Sequence, residues 1–332
     1  WQATHGVEIA EHEYDSRLEI FSQTDDEIEI HNAKNLTWTK GHNIYSHLTW
    51  EEFRDLKDIG RPMPPKPHLL GLARDNGNKH TEKGAPTYAD KWWCLFDWLP
   101  GCGDDTGDND DIEKVSDWVD KGGVTGVKDQ GSCGSCWSFS TTGAIEGAYF
   151  LKTGSLVSFS EQQLVDCDID GQDAGCNGGL MDNAFAWIKS NGGLCKEEDY
   201  PYKAVQNSCT PCTEVEGSAV SSWVDVESTD AAMMSALDQQ TVSIAIEADQ
   251  RDFQQYSGGV LTASCGSNLD HGVLAVGYGT MKFADHDDVD YYRVKNSWGP
   301  SWGKDGYIYL ERGNHKDGQC GMLLAASYPV LQ

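Results

Sequence analysis

Positive charge is what this chain of 332 residues has least of: 25 Lys+Arg stand against 53 Asp+Glu, a formal net charge of -28 at pH 7. Repulsion of that size disfavours non-specific attachment to nucleic acid or to an anionic membrane, so neither is an expected partner. Also missing is any apolar run approaching the roughly 20 residues of a membrane-spanning helix, so no helical span is expected. A calcium loop is absent too. The acidic run at residues 104–111 (Asp-Asp-Thr-Gly-Asp-Asn-Asp-Asp) departs from EF-hand spacing and lacks the closing bidentate Glu, so it reads as a solvated linker without a metal. No signal-like apolar block stands at Trp1, and a secretory signal is expected to have been removed already.

Cysteine is not scarce. Eleven in one chain imply an oxidising route, and the odd number leaves at least one thiol unpaired. A composition of 39% hydrophobic and 10% aromatic residues is that of a globular protein with a substantial core. The single sequon, Asn35-Leu36-Thr37, is consistent with secretion.

Residues 130–138 read Gln-Gly-Ser-Cys-Gly-Ser-Cys-Trp-Ser. Behind them, residues 137–151 place Ala144, Ile145, Ala148, Tyr149 and Leu151 at helical spacing, with Gly154 as a stop, which predicts Cys136 at a helix N-terminus. Unpaired amides and the positive end of the macrodipole there favour the thiolate, the attacking species. The run resembles the active-site segment of papain-like cysteine proteases.

The N-terminal third extends that resemblance. Residues 13–32 carry Tyr14, Leu18, Phe21 and Ile28 on one helical face, with Glu13 and Arg17 spaced for an i,i+4 ion pair. Glu13, Arg17, Phe21, Ile28 and Asn32 fall at the spacing of the interspersed motif of cathepsin L-like prodomains, with Thr24 where the family has asparagine. Residues 41–47 (Gly-His-Asn-Ile-Tyr-Ser-His) resemble the Gly-x-Asn-x-Phe-x-Asp of the same prodomains, Tyr45 replacing Phe and His47 replacing Asp. If His47 contacts a carboxylate its pKa would be raised, and it would oppose release of the prodomain in acid. Beyond residue 60 the periodicity is lost, and Pro62, Pro64, Pro65 and Pro67 argue for extended chain. Cys94 and Cys102 flank an aromatic patch and are expected to pair locally. Asp117-Trp118-Val119 resembles the mature N-terminus of the family, so the expected division is an inhibitory prodomain with acidic linker, 1–111, and a papain-like catalytic domain, 112–332.

Within the second part, Ser160 and Gln163 form a capping-box pattern and residues 180–190 read as a further helix. Short β-branched and aromatic runs follow at 241–247, 272–278, 291–295 and 307–311. A helical half followed by a β half implies a cleft. The fold class expected is α+β: a papain-like two-subdomain fold, helical left half and β-barrel right half, preceded by a mainly helical prodomain.

The resemblance also implies a chemistry. His271 lies in Asp270-His271-Gly272 and Asn296 in Lys295-Asn296-Ser297-Trp298, both similar to the family's catalytic segments. The interval from Cys136 to His271 fits the roughly 130–150 residues expected. Cys136 would be the nucleophile, His271 its base, and Asn296 the group orienting the ring. Gln130 would help form the oxyanion hole, and Trp298 would shield the His271–Asn296 bond from water. Substrate would lie against Gly178, Gly179, Leu180, Met181, Ala245, Leu269, Asp270, Trp298 and Ala325. The apolar walls among these imply a preference for a hydrophobic residue at P2, two before the cut. By the same resemblance Cys133 pairs with Cys176, Cys167 with Cys209 and Cys265 with Cys320. Cys195 and Cys212 remain as a pair, with Cys209 close enough in sequence to exchange for Cys212, and Cys136 stays free. The family implies no cofactor and no metal. It implies a monomer acting on polypeptides, made as a zymogen whose own prodomain threads the cleft against the substrate direction until acid removes it. The compartment would be a lysosome or vacuole, or the exterior of the cell.

Two other readings compete. Cys133-Gly-Ser-Cys136 and Cys209-Thr-Pro-Cys212 are both C-x-x-C, the spacing of a redox dithiol or a zinc site, but the thioredoxin-like setting is absent and zinc would consume the nucleophile. A binding or storage protein on a protease scaffold would usually lack the nucleophile or the histidine, and this chain keeps both.

Overall fold

The computed structural model describes residues 1–63, 112–169 and 173–332. The acidic run and the expected Cys94–Cys102 pair lie outside the described residues. In chain order the helices are α1 (Gln2–His5), α2 (Tyr14–Asn32), α3 (Trp50–Lys57), α4 (Cys136–Thr153), α5 (Glu161–Cys167), α6 (Met181–Asn191), α7 (Asp230–Gln239) and α8 (Arg251–Gln254). The strands are β1 (Trp38–Lys40), β2 (Ile112–Asp117), β3 (Val220–Asp225), β4 (Val242–Ile246), β5 (Tyr256–Leu261), β6 (His271–Met281), β7 (Val289–Lys295), β8 (Tyr307–Glu311) and β9 (Ser327–Leu331). They form one sheet in the order β1-β5-β8-β7-β6-β4-β9-β3, with β2 also pairing β6. Helices first and sheet second is the α+β arrangement expected.

Helix α4 is the axis of the helical half, and residues 136–148 are all buried. Its sequence explains how a helix can be enclosed on every side: serine, threonine, glycine and alanine dominate it, and its hydroxyls are spent internally or across to the barrel. Thr141 Oγ1 donates to the Trp137 carbonyl at 2.8 Å, while Ser140 Oγ donates to Val273 O of β6 at 2.7 Å. Gly154 ends the helix in the left-handed region at φ 74°, its N–H reaching Phe150 O.

The N-terminal segment is built into the core of the second half. Strand β1 pairs antiparallel with β5, Trp38 opposite Gly259, and so adds a strand to the edge of the sheet. Gly259 makes this possible. At φ +72° it carries no side chain, and a Cβ there would stand 2.2 Å from Thr37 O. Trp38, Tyr45, Phe53 and Ile59 share one apolar cluster with Trp298, Trp302, Val273 and Ile308. A complete capping box, Thr49 with Glu52, starts α3 and fixes the helix that delivers Phe53.

Some local expectations are corrected. Tyr14 and Leu18, placed on a buried face by periodicity, are 46% and 53% exposed, because the buried face of α2 is carried by Thr24, Ile28 and His31 near its other end. Ser160 caps α5 by accepting from Gln163 N, whereas the Gln163 side-chain oxygen Oε1 accepts from Cys195 N instead of closing the box. Disulfides join Cys133 to Cys176, Cys167 to Cys209, Cys195 to Cys212 and Cys265 to Cys320. The exchange left open at Cys209 and Cys212 is thereby decided, and Cys136 is the free thiol among the described residues.

Candidate active site

Four elements converge on the cleft. Cys136 is the first residue of α4, so its thiol meets the unpaired amides of that helix; His271 is the first residue of β6; Asn296 follows β7; and Gln130 lies in the loop before α4. Gly272, next to the histidine, faces the backbone of Cys136, where a Cβ would stand 3.3 Å from its carbonyl oxygen. A side chain there would press tightly on the helix backbone.

The histidine is held in one tautomer. Asn296 Oδ1 accepts from Ser297 N at 2.8 Å, which identifies that atom as the oxygen, and His271 Nε2 lies 2.7 Å from it. Nε2 therefore carries the proton. His271 Nδ1 makes no hydrogen bond to any described residue and is available as a base. Trp298, fully buried, stacks on the imidazole at 4.8 Å between ring centroids.

Gln130 is fixed at both ends. Its N–H donates to Ser297 O at 2.9 Å, and Ser297 Oγ donates to its side-chain oxygen at 2.7 Å, leaving Nε2 to donate. In this state Nε2 points to Cys133 O at 3.1 Å and to the Lys57 carbonyl at 3.4 Å. A carbonyl of the N-terminal segment thus already occupies the donor that would meet a substrate carbonyl.

Residues 57–63 continue across the cleft. The Gly60 amide donates to Asp270 Oδ2 at 3.0 Å, Arg61 Nη1 donates to Asn177 O at 2.9 Å, and Met63 N donates to Leu269 O at 2.8 Å. Met63 also packs against the cluster that gathers Met181, Ala245, Ala325 and Leu269. Leu180 is buried at the N-cap of α6, Gly178 takes φ +99°, and Gly179 lies against the Trp137 ring. Of the residues expected to touch substrate, Met181, Ala245, Ala325 and Leu269 thus share one apolar cluster with Met63.

Burial dominates the electrostatics of this covered state. It pushes the Cys136 thiol up to about 11, with the Gly272 and Trp137 amides acting the other way. It also lowers His271 to about 4, against the raising effect of Asn296. The helix N-terminus was expected to favour the thiolate; beneath residues 57–63, exclusion of water outweighs it, and both groups are neutral at pH 7. Asp270, pushed up to about 6 by burial, holds the amides of Ala248, Asp249 and Gly60.

Sequence reasoning missed two contacts of this cover. Lys57, with 1% of its side chain exposed, places Nζ 2.9 Å from Asp129 Oδ1 and 4.6 Å from the centre of the Tyr45 ring. The signal available was a lysine four residues after Phe53, on the apolar face of α3. Tyr45 in turn donates to Trp298 O at 2.8 Å, a bond the family's phenylalanine cannot make.

Known proteins resemble this chain along its whole length. Residues 112–330 match the papain family cysteine protease description, and residues 1–53 match the cathepsin propeptide inhibitor domain. Vignain of Ricinus communis is 41% identical over 99% of this chain and 84% of its own length. Germination-specific cysteine protease 1 of Arabidopsis thaliana is 40% identical over 99% of the chain and 82% of its own. Among solved structures, the proform of the ragweed pollen cysteine protease Amb a 11 covers the whole chain, and 92% of its own, at 30% identity and TM-score 0.77. Digestive procathepsin L 3 of Tenebrio molitor covers 99% of the chain, and 96% of its own, at 33% identity and TM-score 0.76.

Proposed function

Because the chain belongs to the papain family of cysteine proteases and carries the propeptide inhibitor of a zymogen, we propose that it is a latent endopeptidase working through Cys136, His271 and Asn296. The proposed division is a prodomain with linker at 1–111 and a catalytic domain at 112–332. The observation that carries the mechanism is the His271 ring, tied to Asn296 through Nε2, stacked under Trp298 and open at Nδ1.

Once residues 57–63 leave, water re-enters and the ion pair can form. His271 Nδ1 takes the thiol proton, and the Cys136 thiolate attacks the scissile carbonyl carbon. The oxyanion is held by the Cys136 N–H and Gln130 Nε2. His271 then gives its proton to the leaving amine, and a water deprotonated by the same ring hydrolyses the thioester. Cys136→Ala and His271→Ala are expected to abolish peptide turnover while leaving an intact, folded zymogen; persistent turnover in either would refute these roles. The apolar cluster around Ala325 supports a hydrophobic P2 residue, and the family supports a vacuolar, lysosomal or extracellular compartment and a monomer.

Acid activation is proposed with a sign particular to this chain. His47 packs against the Trp1 ring at 5.3 Å, while Arg17 donates to its carbonyl and pairs with Glu52 and Glu13. Burial, then Arg17, lowers the His47 pKa, and the hydrogen bond to the Ile44 backbone, Glu52 and Glu13 only partly oppose them. His5, also lowered, adds a second imidazole to this corner; His42 lies opposite, stacked on Phe21 and bonded to Asp25. The carboxylate contact that would have raised His47 is therefore not the dominant one. A basic group with a depressed folded pKa stabilises the prodomain above its unfolded value of about 6.5, and this is lost as pH falls through the folded value. His47 thus promotes release in acid. His47→Asp would place a carboxylate beside Arg17, ionised down to about pH 4 or lower, and should move the processing midpoint down by roughly one pH unit. Gel analysis of prodomain loss against pH measures it, and an unchanged or higher midpoint would reject this role.

A further inference from the structure

The loop at 196–212 is clamped by Cys195–Cys212 and Cys167–Cys209, and one of its side chains reaches under the oxyanion loop. Tyr202 Oη lies 2.8 Å from the Gln130 carbonyl oxygen and 2.5 Å from Ser135 Oγ. A phenol has one proton, and the carbonyl can only accept, so Tyr202 donates to Gln130 and receives from Ser135. Ser135 immediately precedes the nucleophile, and both it and Gln130 are fully buried. One oxygen therefore joins the residue that supplies the side-chain oxyanion donor to the residue that leads into the backbone donor.

We propose that Tyr202 is a positioning residue for the oxyanion hole, its hydroxyl fixing the Gln130 backbone and the entry to α4 relative to each other. The inference rests on the assignment of Gln130 to that hole. Ser297 holds Gln130 from the barrel half through O and Oγ, and Tyr202 holds it from the helical half, so the residue is pinned from both sides of the cleft. The ring is seated edge-on to Phe139 at 4.8 Å, and the Tyr202 backbone N–H donates to Glu197 Oε1 at 2.8 Å. Burial raises the phenol pKa, so it remains a donor throughout the acid and neutral range.

Tyr202→Phe keeps the ring and removes only the hydroxyl. Misplacement of a catalytic group by about 1 Å can cost on the order of 100-fold, and here one of several restraints is lost, so a fall in kcat of about tenfold is expected. The test uses acid-matured enzyme and a peptidyl aldehyde, whose hemithioacetal oxygen occupies the oxyanion hole. Aldehyde affinity should weaken by the same factor as kcat, while KM and the pH profile of Cys136 alkylation stay unchanged. Aldehyde affinity within twofold of the parent, or KM and alkylation shifting along with kcat, would overturn the inference. If the phenylalanine variant does not accumulate as folded zymogen, Tyr202→His, whose ring ends short of Gln130 O, takes its place with the same readouts. Gln130→Ala is run alongside: if it leaves aldehyde affinity unchanged, the assignment of Gln130 fails and this inference falls with it. If Gln130→Ala weakens the aldehyde and Tyr202→Phe does not, only the role of Tyr202 is rejected.

Discussion

Asp129→Asn is expected to make the intact chain leak peptidase activity at neutral pH. The substitution keeps an acceptor for Gly131 N, which Asp129 Oδ1 now receives at 2.9 Å, so the local turn should survive. What it removes is the counter-charge of Lys57, which is left buried against the catalytic half with a neutral amide oxygen and the Tyr45 ring as its partners. Orphaning one partner of a buried pair typically costs about 3–5 kcal/mol. Asp129 is 41% exposed, so solvent already screens part of the interaction, and a value of about 2–3 kcal/mol is the reasonable expectation. That is roughly 30- to 150-fold in the docking equilibrium of the prodomain. Lys57→Met removes the charge and keeps the bulk, so it should hold latency, and the double variant should restore what Asp129→Asn loses. Turnover by the uncleaved chain at pH 7 is the measurement. Full latency of Asp129→Asn would show that the pair does not contribute to the cover.

Ala325→Glu is expected to narrow the selectivity at P2. Met181, Ala245 and Ala325 are buried in one apolar cluster with Leu269 at its edge, and Met63 packs against it. A leucine or phenylalanine side chain entering this space gains roughly 1.5–3 kcal/mol, whereas a guanidinium would be buried without a partner at a cost of several kcal/mol. In the unmutated enzyme kcat/KM for a Phe-Arg reporter should therefore exceed that for an Arg-Arg reporter by about 100-fold or more. A glutamate at 325 supplies the missing carboxylate and should raise the second reporter by at least about tenfold. Equal kcat/KM on the two reporters before mutation would contradict the pocket assignment.

How much of this could be read beforehand depended on how local each signal was. Cys136, His271, Asn296 and Gln130 each sit inside a short run that resembles a segment of the family, so each could be proposed without the fold. The helix at Cys136–Thr153 was legible from its spacing, though its complete burial follows from small residues packing against β6. Lys57, Asp129 and Tyr202 were not legible. Each matters through one partner far away in sequence, and nothing in a lysine, an aspartate or a Tyr-Pro-Tyr run states which partner the fold will bring. The same limit reversed the sign at His47, where the dominant influences are burial and the guanidinium of Arg17. Tyr14 and Leu18 failed for a different reason: periodicity gives a face, and only the rest of the structure decides whether that face is covered.

The central claim is that one cysteine, Cys136, does the chemistry and that residues 57–63 keep it covered and neutral until acid frees it. Labelling with iodoacetamide, read residue by residue by mass spectrometry alongside peptide turnover, tests both halves in one measurement. At pH 7 the intact chain should leave Cys136 unlabelled and show no turnover. After acid processing, Cys136 should label rapidly and activity should fall in proportion to its occupancy. Equal labelling rates before and after processing, or turnover that survives complete alkylation of Cys136, would contradict the account.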